Sequence, residues 1–591
     1  MGVPLDAQKK SIEADETAAS VFLSYGKGDA GRVVESFTRD EVENLAGVVT
    51  NTTSNVYAWM IGDRLSLEQA GALMSRISRS SLTGRRLFLR EFLPNKERGR
   101  EFFESWLVSY GDDSIQEMAG GLPVTFEYVS NLMAKAIEEP RIGASFIEKS
   151  SRYVPFDKKL PNGEYMYYRD PDIMASKHGD RFVGLMDSLF ELYSKNIPVM
   201  QKYVAEKNPI SERRFLVGGA PVSIGELKRK DEERLGVTES DLVKAYDNSV
   251  KAQALDILRD YLPLATLTHV GAVLNARAWE ALLLKLEASR LTEAQHIGGI
   301  AKAELTRIAP SLLRRVSDSH GEDFKRFIRG KEIGSAAMSN AFLENAHRMA
   351  GASVSLDEFT GMGSRNADRE AQISLCAAIL YENAAGLSLE QLKRAAAGMS
   401  PAERRMLISA YVGERGNRRQ RPGRAFENIE YLFDLVGRVG IFRDIQRHRI
   451  GTQQRQPFTT AMGYETRKEF DAIGIADDYR SKMSEVEELF GELSRSLPQQ
   501  AQYVVTYGFN ARWYYRLNAR QLFHISELRT GPGGHPDYRK LVQDMFKLAK
   551  EVHPSITEHI NFIDMSYKEL GRLDSEIRTA AKRRATEKAA K

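Results

Sequence analysis

The sequence predicts an α+β chain built from two tandem, helix-rich copies of one fold. Three observations predict it. Short motifs recur in a fixed order, most of the hydrophobic periodicity is helical, and each half holds a segment that reads as a strand running into a helix. At 591 residues the chain is also too long for one ordinary core.

The repeat sets the architecture. LNAR occurs at Leu274–Arg277 and Leu517–Arg520, RIG at Arg141–Gly143 and Arg449–Gly451, and ERG at Glu97–Gly99 and Glu414–Gly416. The order is the same both times, with offsets of 317, 308 and 243 residues for ERG, RIG and LNAR. The first copy therefore carries roughly 65 more residues between RIG and LNAR, in a turn-rich and charged stretch. This predicts an N-terminal extension over 1–70, copy one over 71–335 with an insertion near 155–245, and copy two over 336–591.

Residues 247–290 read as two amphipathic helices broken near Pro263. RLNARQLFHISELR reads as a further helix, stopped by TGPGGHP. VTFEYVSNLMAKAI and FENIEYLFDLVGRVGIFRDIQRHR are the two strand-into-helix segments. The basic C-terminal run RTAAKRRATEKAAK reads as a frayed, solvated helix.

Composition excludes several classes. Hydrophobic residues make up 42% and charged residues 28%, as in a globular protein. Lys and Arg outnumber Asp and Glu by 84 to 80, too few for a general nucleic-acid binder. The one cysteine, Cys376, lies in the apolar run ISLCAAIL and predicts core packing, with no disulfide and no metal motif. No apolar run reaches a membrane span and the first residues lack a signal-peptide core, which predicts a cytoplasmic protein with no membrane partner. YGKGDAGR lacks the spacing of a phosphate-binding P-loop, and His535 has no ligand-spaced partner.

Three clusters carry chemistry. In RDIQRHRIGTQQRQ, the consecutive Arg447, His448 and Arg449 would fan out on a helix, which suits a helix end or turn gripping an anion; a solvated basic patch is the alternative. Glu148-Lys149-Ser150-Ser151-Arg152-Tyr153 could seat a nucleotide, or cap a helix. Asn518, Leu522, Ile525 and Arg529 share one helical face while Arg520 and His524 share another. In the first copy that face reads Asn275, Trp279, Leu282, Leu286.

Together these segments resemble the flavin-dependent thymidylate synthase (ThyX) family. Its signature is RHR, then seven residues, then Ser, followed two residues on by Arg-Tyr. Further on come Arg-x-x-Leu-Pro and Asn-Ala-Arg, with a uracil-activating Arg nine residues later. Neither copy has the full set, and the losses are complementary. Copy one has EPR (Glu139-Pro140-Arg141) for RHR and Leu286 at the activating position, but keeps Glu148, Ser150, Arg152, Tyr153 and Arg259. Copy two keeps Arg447, His448, Arg449, Asn518, Arg520, His524 and Arg529, with Pro457 for the Ser and Gln502 for Arg259. The family's flavin segment is matched by DDSIQE and PGRAFE, where Ser114, Glu117 and Glu427 survive and its histidine does not.

The resemblance implies a small antiparallel sheet in each copy and methylation of dUMP to dTMP. FAD would be the cofactor, methylenetetrahydrofolate the carbon donor and NADPH the reductant. It makes Arg529 catalytic and assigns the nucleotide to Glu148, Ser150, Arg152, Arg259, Arg447 and Arg529. The cofactor falls to Arg447, His448, Arg449, Asn518, Arg520, His524, Asn275, Arg277, Ser114 and Glu117. The family's four-subunit assembly would become a homodimer here, with one composite site joining copy-one and copy-two residues. The rival expectations are action on another pyrimidine nucleotide, such as hydroxymethylation, and a non-catalytic nucleotide- or RNA-binding relative.

Overall fold

The computed structural model describes residues 17–26, 29, 31–95, 97–103, 121–217, 220–226, 229–308, 313–344, 346, 353–567 and 569–589. The chain forms two compact units, one of 1–348, 466–506 and 577–591, the other of 349–465 and 507–576. The units interleave along the chain, so they are not colinear with the division at 335/336.

In the first unit, β1 (Thr17–Leu23) and β2 (Arg32–Thr38) form an antiparallel hairpin. A four-stranded antiparallel sheet follows, from β3 (Val56–Ala58), β4 (Leu122–Ser130), β5 (Ala144–Glu148) and β8 (Leu267–Leu274), in the order β3-β4-β8-β5. Residues 56–58, inside the segment set apart as 1–70, thus supply an edge strand. A second hairpin, β6 (Phe215–Val217) with β7 (Ala220–Val222), lies in the insertion.

In the second unit, β9 (Val354–Phe359), β10 (Glu430–Arg438), β11 (Thr452–Arg455) and β12 (Asn510–Asn518) form an antiparallel sheet in the order β11-β12-β10-β9. Substituting each strand by its repeat equivalent turns one sheet into the other. The α+β class and the small sheet in each copy both hold.

Residues 247–290 hold the two expected helices, but a strand lies between them. The helix Glu239–Leu258 gives way to β8, and a second helix runs Ala276–Ala288. Every residue of β8 is buried, Thr268 and His269 included, so the strand shows no alternation of apolar and polar residues to reveal it. The C-terminal segment is not a solvated tail either. Ile577, Ala580 and Ala581 pack on Phe215, Val237 and Leu242 of the insertion, and Arg584 pairs with Asp241.

The RIG and LNAR motifs recur together because they touch. The Gly143 carbonyl accepts from Asn275 N–H at 2.9 Å, and Gly143 has φ +68°. A Cβ there would lie 2.1 Å from the Asn275 amide nitrogen. Gly451 has φ +108°, and its Cβ would meet the Arg516 carbonyl at 2.5 Å. Only glycine fits both places.

Pro263 and Thr506, equivalent by the LNAR offset, pair with each other in an antiparallel bridge within the first unit. Flanking bonds run from Leu264 N–H to the Val505 carbonyl and from Ala265 N–H to that of Tyr503. Antiparallel pairing of equivalent positions gives this segment local two-fold symmetry. No helix among the described residues is long and apolar enough to cross a membrane.

Candidate active site

The copy-two groups stand where β12 turns into the helix Ala519–Arg529. Asn518 is its N-cap, its side chain accepting from Gln521 N–H at 2.9 Å. The helix Val439–Gln446 ends at Arg447, which is exposed. The next residue, His448, turns inward and is 5% exposed, so the three basic residues do fan out at a helix end. Arg449 is half-buried.

His448 is held at both ring nitrogens. Arg529 Nε donates to its Nε2 at 2.7 Å, and the Gln521 amide lies 3.1 Å from its Nδ1. A guanidinium only donates, so Nε2 must carry a lone pair and the ring proton sits on Nδ1. The Gln521 Nε2 is the amide atom that stands against Nδ1, so a protonated Nδ1 is satisfied once that amide turns its oxygen to the ring. Burial pushes His448 well below the usual histidine range, and Arg529, His524 and Arg421 push the same way. The His524 ring lies 5.5 Å from it. Burial, Arg421, Arg418, Arg529 and Arg520 hold His524 down at about 3. Two neutral imidazoles thus sit in a strongly positive field.

Arg529 lies 5.5 Å over the Tyr538 ring and 4.0 Å from Asp444. Its terminal nitrogens make no hydrogen bond among the described residues, and its side chain keeps 16% exposure. It is a guanidinium aimed by its Nε, with its fork free of hydrogen bonds among the described residues and the Asp444 carboxylate 4.0 Å away. Arg520 is tied to the Pro422 carbonyl at 2.9 Å and to Glu427 at 3.2 Å, which is how PGRAFE meets the helix.

Copy one builds the same frame and fills it with carbon. Asn275 caps its helix in the same way, accepting from Ala278 N–H at 2.9 Å. Trp279, Leu282 and Leu286 then join the apolar core, Leu286 at 2% exposure where copy two has Arg529. Pro140 stands in the place of His448, Ala278 in that of Gln521. Arg277 is exposed.

The copy-one cradle follows β5. Glu148 lies opposite Val270, and in copy two Arg455 lies opposite Trp513. Val270 and Trp513 are LNAR equivalents, so the register sets Ser150 against Pro457. Glu148 is buried and ion-paired to Lys135 at 3.1 Å, and Lys135 also binds Glu138. The Ser150 hydroxyl accepts from Arg152 N–H at 3.3 Å. Arg152 Nε reaches both Asp256 oxygens, at 2.6 and 2.8 Å. Arg259 is 3% exposed and stands 3.9 Å from the same carboxylate. Its Nε and Nη2 are buried without a hydrogen-bond partner among the described residues. A buried guanidinium with two idle donors is costly unless an anion meets it. Gln502, the copy-two equivalent, instead bonds the Gln499 carbonyl.

Ser150, Arg152 and Arg259 are thus gathered in one unit, and His448, Arg520, His524 and Arg529 in the other. Ser114 and Glu117 lie outside the described residues. Sequence reasoning missed Gln521 and Asp256. Gln521 sits at the capping position three after Asn518, and Asp256 three before Arg259; those spacings were the available signals. Cys376 is buried core, as expected.

The family profile "Thymidylate synthase complementing protein" matches twice, over residues 64–311 and 364–555. A "UPF0159 protein" of Chlamydia muridarum is 34% identical over 92% of this chain and 99% of its own length. Another from Chlamydia pneumoniae is 33% identical over 92% and 98%. "UPF0159 protein Ta1429" of Thermoplasma acidophilum is 30% identical over 87% and 98%. The crystal structure of a UMP/dUMP methylase, PolB from Streptomyces cacaoi, bound with 5-Br dUMP, aligns with 35% of this chain and 93% of its own, at 17% identity and a TM-score of 0.27. That structural likeness is too slight to bear on function. The two profile matches fall one on each copy, and the chain belongs to the thymidylate synthase complementing protein family as a tandem, two-copy member.

Proposed function

We propose that this protein methylates dUMP to dTMP, with one complete set of functional groups per chain. The observation that carries this is Arg529, a guanidinium oriented by His448 with its fork free of hydrogen bonds among the described residues. Such a fork can pair with the uracil imide and stabilise negative charge on the ring, which makes C5 more nucleophilic. Ser150, Arg152 and Arg259 hold the nucleotide phosphate, and the idle nitrogens of Arg259 give it a binding role.

The copy-two cations suit an anionic flavin. His448 and His524 are neutral donors and acceptors, and Arg418, Arg421, Arg520 and Arg529 add charge around them. FAD would bind there through the two histidines, Arg418, Arg421, Arg447, Arg449 and Arg520, and when bound it would supply the redox step. Methylenetetrahydrofolate would give the carbon and NADPH the electrons. The protein's own work is to fix the nucleotide and to meet charge on the uracil.

The test is release of tritium from 5-labelled dUMP by the full-length protein with FAD, NADPH and methylenetetrahydrofolate. Release that requires the folate is expected, with dTMP as the product. Binding of dUMP without release would leave a nucleotide-binding protein and refute the enzyme. Release with a hydroxymethylated product would refute the assignment of dTMP.

A further inference from the structure

One helix carries both the guanidinium of Arg529 and a group that bears on its brace. Ala519–Arg529 presents Gln521, His524 and Arg529 to the buried His448. Gln521 is 3% exposed. The His448 backbone is held by other residues. Its N–H donates to the Ile445 carbonyl at 3.0 Å, and its carbonyl accepts from the Gln453 amide at 2.8 Å. The Gln521 side chain therefore bears on the ring alone, and that contact is its one hydrogen bond among the described residues.

A neutral imidazole has one N–H and one lone pair, and the bond made by one nitrogen sets the role of the other. Arg529 Nε donates to Nε2 at 2.7 Å, a bond that exists only in the tautomer protonated at Nδ1. With a proton on Nε2, donor would face donor. Burial holds His448 well below the usual histidine range, and Arg529 and His524 on the same helix and Arg421 on the loop before β10 push the same way. Asp444, on the helix leading to His448, faces Arg529 at 4.0 Å. The surroundings thus keep a second proton off the ring. The choice between the two neutral forms falls to the group at Nδ1, which among the described residues is the Gln521 amide, 3.1 Å away.

The three residues are present or absent as a set. Copy one has Ala278 for Gln521, Pro140 for His448 and Leu286 for Arg529, so it lacks the amide, the ring and the cation alike. The Asn cap and the glycine under it, which shape the turn, stand in both copies. The amide therefore goes with the cation and not with the fold of the turn.

We propose that Gln521 is a positioning residue for Arg529: its amide oxygen fixes His448 in the form protonated at Nδ1, and the Nε2 of that form aims the guanidinium at the uracil. This rests on the role proposed above for Arg529. The amide acts through the ring, so its loss should be felt in turnover more than in nucleotide binding.

The test takes two readouts from full-length wild type, Gln521→Met and Gln521→Glu. Nitrogen NMR of the histidine rings, with His448 identified by its loss in His448→Asn, reads the tautomer without substrate or cofactor. Wild type should show His448 protonated at Nδ1 alone. Gln521→Met should lose that preference, and Gln521→Glu, which keeps an acceptor, should retain it. In steady-state kinetics Gln521→Met should lower kcat on dUMP about ten-fold or more, with KM changed by a few-fold at most. Gln521→Glu should recover most of kcat at pH 8 and lose it toward pH 6. A carboxylate beside the ring raises its proton affinity, and a doubly protonated ring cannot accept from Arg529. A wild-type His448 protonated at Nε2 overturns the proposal, as does a folded Gln521→Met protein that keeps the Nδ1 form or full kcat. A wild type with the Nδ1 form but no turnover of dUMP refutes the enzyme reading instead, and the role of Gln521 falls with it.

Discussion

The helix that starts at LNAR ends differently in the two copies. Copy one carries Leu286 in its last turn, sunk in a core with Trp279 and Leu282. Copy two ends it on Arg529, braced by His448 and lying over Tyr538. The strand order, the Asn cap and the glycine under the cap are common to both. The frame is therefore independent of what fills it. Once one copy holds the cationic cluster, the equivalent space in the other is free to become core. The cradle shows the reverse division, with Ser150 and Arg259 in copy one against Pro457 and Gln502 in copy two.

The largest expected effect breaks this contrast from the catalytic side. Arg529→Ala should lower turnover on dUMP by on the order of a hundred-fold or more, about 3 kcal/mol of barrier. The fold should survive, because Arg529 is at a helix end and its loss opens no apolar cavity. Steady-state kinetics with thermal melting checks both halves, and near-normal turnover would remove Arg529 from the mechanism.

The mirror substitution sharpens the contrast. Leu286→Ala should cost about 2–5 kcal/mol of stability, as for other buried leucines whose cavity cannot close. Turnover per folded molecule should stay near wild type, because copy one has no activating cation at that place. Denaturant unfolding and kinetics on the same preparation give the answer. A large drop in turnover at intact stability would mean that the apolar end of copy one takes part in the chemistry.

A smaller effect concerns a buried carboxylate. Glu293 accepts from Ser130 N–H at 2.7 Å and from the Tyr503 hydroxyl at 2.8 Å. Burial raises it from an ordinary carboxylate to about 7. Between its ordinary value and about 7 the folded chain holds a proton that the unfolded chain releases, so stability falls as pH rises through that window. Glu293→Gln, which cannot ionise, should flatten this slope and melt higher than wild type at pH 8. An unchanged slope would exclude Glu293 as its source.

The sequence revealed the duplication and both half-sets because motifs of three or four residues survive as words. It revealed β4 and β10 because each runs straight into a helix. It hid β8, which is buried on both faces and shows no alternation. The partners of the functional groups were hidden for another reason. Asp256 and Gln521 matter through tertiary contacts, and a lone Asp or Gln on a helix has no pattern of its own. Lys149 stood in plain view within EKSSRY. Only its burial sets it apart from a surface lysine. The C-terminal helix looked solvated because its apolar stripe is three small or branched residues, Ile577, Ala580 and Ala581, among many charges.

The division of labour between the copies is tested most directly by the number of nucleotides bound. Calorimetric titration of the full-length protein with dUMP, in the presence of FAD, should saturate at about one dUMP per chain. That class of site should weaken in both Ser150→Ala and Arg529→Ala and persist in Leu286→Ala. Two equivalent dUMP sites per chain would contradict the account.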